Sequence, residues 1–215
     1  EQNDAVLVPK EGIRLKVDDL EWQVPSRSNC LICHSRQANF VLSLTTAQLN
    51  RNVVFKGKQV NQIDLLIRLG FIKAPKAESN TGDSLPTSPV KRVKLVDPYN
   101  ESVAVSKRIQ AYFATNCSHC HTPNGGGNTK MNLAPWVDPD DQHLINATPE
   151  HGNFGLDEAR LIVPGESGRS ILPVRVTLRG SGQMPPVGTL YPDIEGIRLL
   201  YKWQQGLGET NENQR

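Results

Sequence analysis

The pattern Cys-x-x-Cys-His occurs twice in this 215-residue chain, at residues 30–34 and 117–121, and the two copies use all four cysteines. Each copy fixes two thiols and an imidazole on one short piece of backbone, so the fold must form around whatever they hold. Two disulfides would not need a His after each pair. Zinc ribbons separate their CxxC pairs by about 15–20 residues, whereas 83 residues lie between Cys33 and Cys117. A thioredoxin-like site would sit near a βαβ pattern, and neither copy does. CxxCH is the attachment pattern of c-type haem. Each thiol adds to one porphyrin vinyl group, and the adjoining His is held under the ring as the proximal iron ligand. On this reading Cys30, Cys33 and His34 hold one haem, and Cys117, Cys120 and His121 hold a second.

Composition agrees with a covalent cofactor. Only 37% of residues are hydrophobic and 6% aromatic, which is lean for a core made of side chains alone. A large apolar disc can serve as its centre. The net charge of +2 comes from mixed Lys/Arg and Asp/Glu, with no basic stripe for nucleic acid and no acidic tail. The sequence has no run of roughly 18 apolar residues, so no membrane span is expected. Residues 1–4 are polar and do not read as a secretory signal.

The pattern along the chain predicts two lobes, 1–75 and 99–215, joined by a linker at 76–98. Residues 5–8, 13–17 and 21–24 read as short strands. Within 57–72, Ile63, Leu66 and Ile67 fall at helical spacing and Gly70 is placed as a stop. Residues 74–89, rich in Pro, Ser and Gly, read as an exposed connection. The flanks of the two motifs are unlike, which excludes a simple tandem duplication. In the second lobe Val105, Ile109, Tyr112 and Phe113 mark a helix, with Asn100 as its expected cap, running straight into Asn116 and Cys117. Ile194, Ile197, Leu200, Trp203 and Leu207 mark another, expected to start near Pro192 and Asp193 and to stop at Gly206 or Gly208.

Between motif and last helix lies Arg179-Gly180-Ser181-Gly182-Gln183-Met184-Pro185-Pro186. A residue before proline is pushed out of helical geometry, so Met184 is expected on a rigid, extended segment. Its thioether is a soft, neutral donor, and His/Met ligation raises a haem's reduction potential. Met184 is therefore the expected sixth ligand of the second haem.

Helix, CxxCH, Gly-rich loop, Met-Pro loop and a final helix with a Trp together resemble the class I cytochrome c fold. From about Trp22 onward the chain resembles the dihaem cytochrome region at the C-terminus of certain large exported bacterial proteins. That likeness rests on Pro25-Ser26-Arg27, the first motif, Phe40-Val41-Leu42, Gln48-Leu49-Asn50, Asn116 with the second motif and Thr122-Pro123, the run from Val163 to Ser170, and Gln183-Met184-Pro185-Pro186. It implies a mainly α fold: a cytochrome c-like helical lobe with covalent haem, preceded by a smaller haem-bearing lobe with short N-terminal strands. It also implies electron transfer between redox protein partners, or with an upstream domain of a longer chain. The expected location is periplasmic or otherwise extracytoplasmic, the chain being a domain excised from such a protein or one whose signal has been removed.

The first haem leaves a gap. Residues 1–116 contain no His but His34 and no Met. A sixth ligand of the ordinary kinds must come from the second lobe, with His151 and Met131 ahead of His119 and His143; otherwise a Lys, a Tyr or an open position takes its place. His119, between two cysteines, is expected at the surface, and so is His143 in its acidic loop. Arg27, Arg175 and Arg179 are candidates to pair with propionates, and Trp136 and Trp203 to touch a ring edge. Gly125, Gly126 and Gly127 lack the Lys and Ser/Thr of a phosphate loop and suit close backbone approach to a porphyrin. An electron carrier is the leading reading, with no catalytic residues assigned. The alternatives are a dihaem peroxidase and a haem-based sensing or interaction domain.

Overall fold

The computed structural model describes the backbone of residues 5–73 and 93–212, with side chains to 209. The expected connection at 74–89 lies outside the described residues. Among these, helices are joined by two small two-stranded sheets. Two compact units result: one from Glu1–Leu42 with Asp97–Arg215, the other from Ser43–Val96.

In the smaller unit, Thr45 and Gln48 form a reciprocal capping box that starts the single helical turn Thr46–Leu49. An antiparallel hairpin follows, Asn52–Phe55 with Lys58–Asn61, turning at Lys56 and Gly57, both with positive φ. The side-chain carbonyl of Asn61 accepts from the N–H groups of Ile63 and Asp64 and starts the helix Gln62–Arg68. That helix buries Ile63 and Leu65 and ends just before Gly70, at φ +77°. The helix expected across 57–72 is thus shorter, because 58–61 is paired as strand. The half-buried alternation of Val53 and Phe55 carried that signal.

In the larger unit, β1 (Ile13–Val17) and β2 (Leu20–Val24) pair antiparallel, Ile13 opposite Val24. Residues 5–8 are not a strand. Val6 and Leu7 there stay exposed. The hairpin leads into helix α1 (Arg27–Cys33). The core lies between α2 (Val105–Asn116), α3 (Ile171–Thr177) and α4 (Ile194–Glu212). Ile109 and Phe113 meet Leu199, Leu200 and Trp203 across the α2–α4 crossing, joined by Met131, Leu133, Leu144 and Ile162. Phe113 and Trp203 pack edge to face, centroids 5.6 Å apart and planes at 86°, a geometry worth about 0.5–1.5 kcal/mol beyond the area it buries.

Two expected boundaries differ. Helix α2 begins at Val105, not at Asn100, whose side chain instead accepts from the Ser102 N–H in a turn five residues earlier. Helix α4 runs through both Gly206 and Gly208. A Cβ on Gly208 would sit 2.9 Å from the Cα of Gly165, so this glycine admits the 163–165 loop rather than ending the helix. Gln204, fully buried, donates to Val163 O at 2.9 Å, and Gly165 N–H donates to Gln204 O at 2.9 Å, tying the same loop to the helix. No helix among the described residues is long and apolar enough to cross a membrane.

Candidate functional site

The first motif occupies the end of α1. Ser26 caps the helix by accepting from the Asn29 N–H at 3.2 Å, and His34 stands at its C-cap. The backbone turns back after Ser35, and His34 Nδ1 meets the Phe40 carbonyl at 2.8 Å. A carbonyl only accepts, so Nδ1 carries the proton and Nε2 is the nitrogen left for a metal. A second bond of this kind, orienting the ring, is the usual support of a metal-ligating His. Leu31, Phe40 and Val41 expose apolar surface in the same region.

The second motif continues α2. Cys117 N–H donates to Phe113 O at 2.9 Å and His121 N–H to Cys117 O at 2.9 Å, so the helix's own hydrogen bonds carry the motif into place. His121 is buried. Its Nδ1 lies 3.2 Å from the Thr129 hydroxyl, so Nδ1 is engaged by a protein partner here too. Burial, then the nearby Arg175, His119 and His151, lower its pKa to about 4. The ring is therefore neutral, the form that binds metal. Burial pushes the Cys117 thiol up to about 12. A Cβ on Gly127 would stand 2.6 Å from His121 Nδ1, so glycine there lets the loop close over the ring.

The two motifs meet. Cys33 Sγ lies 3.7 Å from Cys120 Sγ, and Cys120 Sγ lies 3.6 Å from Ile32 O. His119, half-buried rather than at the surface, brings a ring nitrogen within 4.8 Å of both sulfurs. The Cys120 thiol donates to Cys33, and His119 adds to the effect, so the Cys33 thiol is held well below its ordinary range. Its partner Cys120 is raised for the same reason.

Met184 is half-buried on a non-helical bend, its N–H donating to Arg175 O at 2.8 Å. Arg179 holds this bend: its guanidinium donates to Val176 O at 3.1 Å, Thr189 Oγ1 at 3.4 Å and the carbonyls of Leu178 and Tyr191. These contacts make Arg179 a backbone clamp, while Arg27 is exposed. Arg175 donates to Gly182 O at 2.9 Å and lies over the Phe154 ring. It also lines a cavity of about 430 Å³ together with Thr129, Met131, His143, His151 and Ile171. Of the two residues expected to reach the first haem, Met131 is buried in the core. His151 Nε2 bonds the Asn128 carbonyl at 2.8 Å. Trp136 is 74% exposed, whereas Trp203 is core.

The donor set fits c-type haem. Each motif offers two thiols not in disulfides and one imidazole with Nδ1 engaged, beside apolar surface at His34 or a cavity at Thr129. Sequence reasoning ranked His119 behind His151 and Met131 and expected it at the surface, and no local signal marks that it lies beside Cys33 of the first motif.

No curated protein and no solved structure matches the chain. Residues 106–169 match the family model for cytochrome c, a segment that takes in most of α2, the second motif and the Gly-rich loop, and stops short of Met184. That match supports a c-type cytochrome with a haem-based role in electron transfer.

Proposed function

We propose that the protein is a dihaem c-type cytochrome that relays electrons between extracytoplasmic, periplasmic redox partners. The reading assigns one haem c to Cys30, Cys33 and His34 in the 1–75 region and another to Cys117, Cys120 and His121 in the 99–215 region. Met184 is the sixth ligand of the second. The observation that carries it is the matched state of the two histidines. Both follow a CxxC pair, and both have Nδ1 engaged, by the Phe40 carbonyl in one and the Thr129 hydroxyl in the other. Bound haem iron supplies a one-electron couple at a potential set by its axial ligands.

The chain's own residues do the rest. The cysteines anchor, the histidines orient, and Met184 on its clamped bend presents a soft donor that favours the reduced state. Burial around His121 excludes water and holds its imidazole neutral. The test is intact-mass analysis of denatured, matured protein together with a redox-resolved optical spectrum. Two covalent haems and a thioether-ligated signal are expected. One haem, or none, overturns the reading.

A further inference from the structure

The two second cysteines of the motifs, Cys33 and Cys120, share one spot although they lie 87 positions apart in the chain. We propose that Cys33 and Cys120 form a paired attachment point that seats the two haems edge to edge, with Gly126 as the residue that permits it. The inference rests on the dihaem reading above.

Attachment at each cysteine is redox-neutral. The thiol S–H adds across the vinyl C=C, an S–C bond forms as the π bond breaks, and the thiol hydrogen goes to the outer vinyl carbon. No oxidant is required. At 3.7 Å the two sulfurs are in contact, with no space for a side chain or water between them. Each porphyrin edge then begins one S–C bond beyond its sulfur, so the two edges are neighbours.

Backbone packing holds the pair independently of the sulfurs. A Cβ on Gly126 would collide with the Ile32 carbonyl, and one on Gly125 with the Cys120 carbonyl. Cys120 Sγ itself lies 3.6 Å from Ile32 O. The loop after the second motif therefore lies directly on the end of α1, and any side chain at position 126 forces them apart. Gly126 is a positioning residue: it touches neither iron ligand but sets the separation of the two attachment points.

The test uses the matured holoprotein and visible circular dichroism in the main haem absorption band. Neighbouring haems give a bisignate exciton couplet there, and isolated ones do not. The expected result is a couplet in the wild type that is absent from the summed spectra of two single-haem variants, Cys30→Ala/Cys33→Ala and Cys117→Ala/Cys120→Ala. Gly126→Val should keep two haems by mass and lose most of the couplet. Should Gly126→Val fail to mature, the comparison of wild type with the summed variants still decides. A protein carrying two haems whose spectrum equals that sum overturns the paired attachment and leaves the dihaem reading standing. A mass showing one haem overturns both.

Discussion

Gly196 of α4 packs against the hydroxyl end of Tyr112 of α2, so closely that a Cβ on the glycine would overlap the Tyr112 Cζ and hydroxyl. The α2–α4 crossing, which carries the core, is set by the absence of a methyl group there. Gly196→Val should lower stability by about 1–3 kcal/mol, as overpacking does. Gly196→Ala should cost less, because about 1 kcal/mol of helix propensity is regained. Combining either with Tyr112→Ala should give less than the sum of the separate losses, since the two residues share the contact. Thermal denaturation followed by far-ultraviolet circular dichroism measures all of these.

Asp193 starts the same helix. Partial burial opposes its charge, but the Gly196 N–H and the hydroxyls of Tyr99 and Tyr112 outweigh that and hold its carboxyl below the ordinary value. Its folded pKa is depressed, so its contribution is complete above the unfolded value of about 4. That contribution is lost as pH falls through the lower folded value. Asp193→Ala should cost about 1 kcal/mol at neutral pH, as loss of a helix cap does. The difference from wild type should shrink in acid. Melting curves from neutral pH down to the acid limb test this, and a constant difference would refute it.

Met184→His should lower the potential of one haem, by a fraction of the roughly 0.8 V that axial ligands span. The other haem should move little. Spectroelectrochemical titration gives both values, and an unchanged pair of potentials would mean that Met184 only packs.

Arg179 acts on Met184, the proposed ligand, from a distance. Its donors reach Val176, Thr189 and Tyr191, carbonyls and a hydroxyl on both sides of the Met184 bend. Arg179→Gln should keep both haems by mass and weaken the charge-transfer absorption of the thioether-ligated iron. A full-strength band in the variant would show that the bend holds without the clamp.

Loss of the two proposed attachment sites should differ in consequence. Helix α1 buries no residue, whereas the second motif follows α2, which buries Ile109, Ala111 and Phe113. Cys117→Ala/Cys120→Ala should remove one haem and lower the melting temperature sharply. Cys30→Ala/Cys33→Ala should remove the other with a smaller shift. Haem count by mass and thermal melts of each variant check the asymmetry.

What was legible in the chain was whatever contiguous residues carry. The CxxCH motifs pack their chemistry into five residues each. The stripes of α2 and α4 follow from helical period, and proline after Met184 keeps it off a helix. The hairpin Asn52–Phe55 with Lys58–Asn61 was missed because strands of four residues give too short an alternation to outweigh a neighbouring helical stripe. Tertiary contact decided the remainder. Gly206 and Gly208 carry the signal of a helix end, yet Gly165 packs on Gly208 and the helix continues. Asn100 has the chemistry of a cap but spends it on Ser102. Above all, nothing near Cys33 in sequence points to Cys120 or His119. Their meeting depends on the backbone of the 125–127 loop lying against the end of α1, a contact across more than 80 residues that no local pattern encodes.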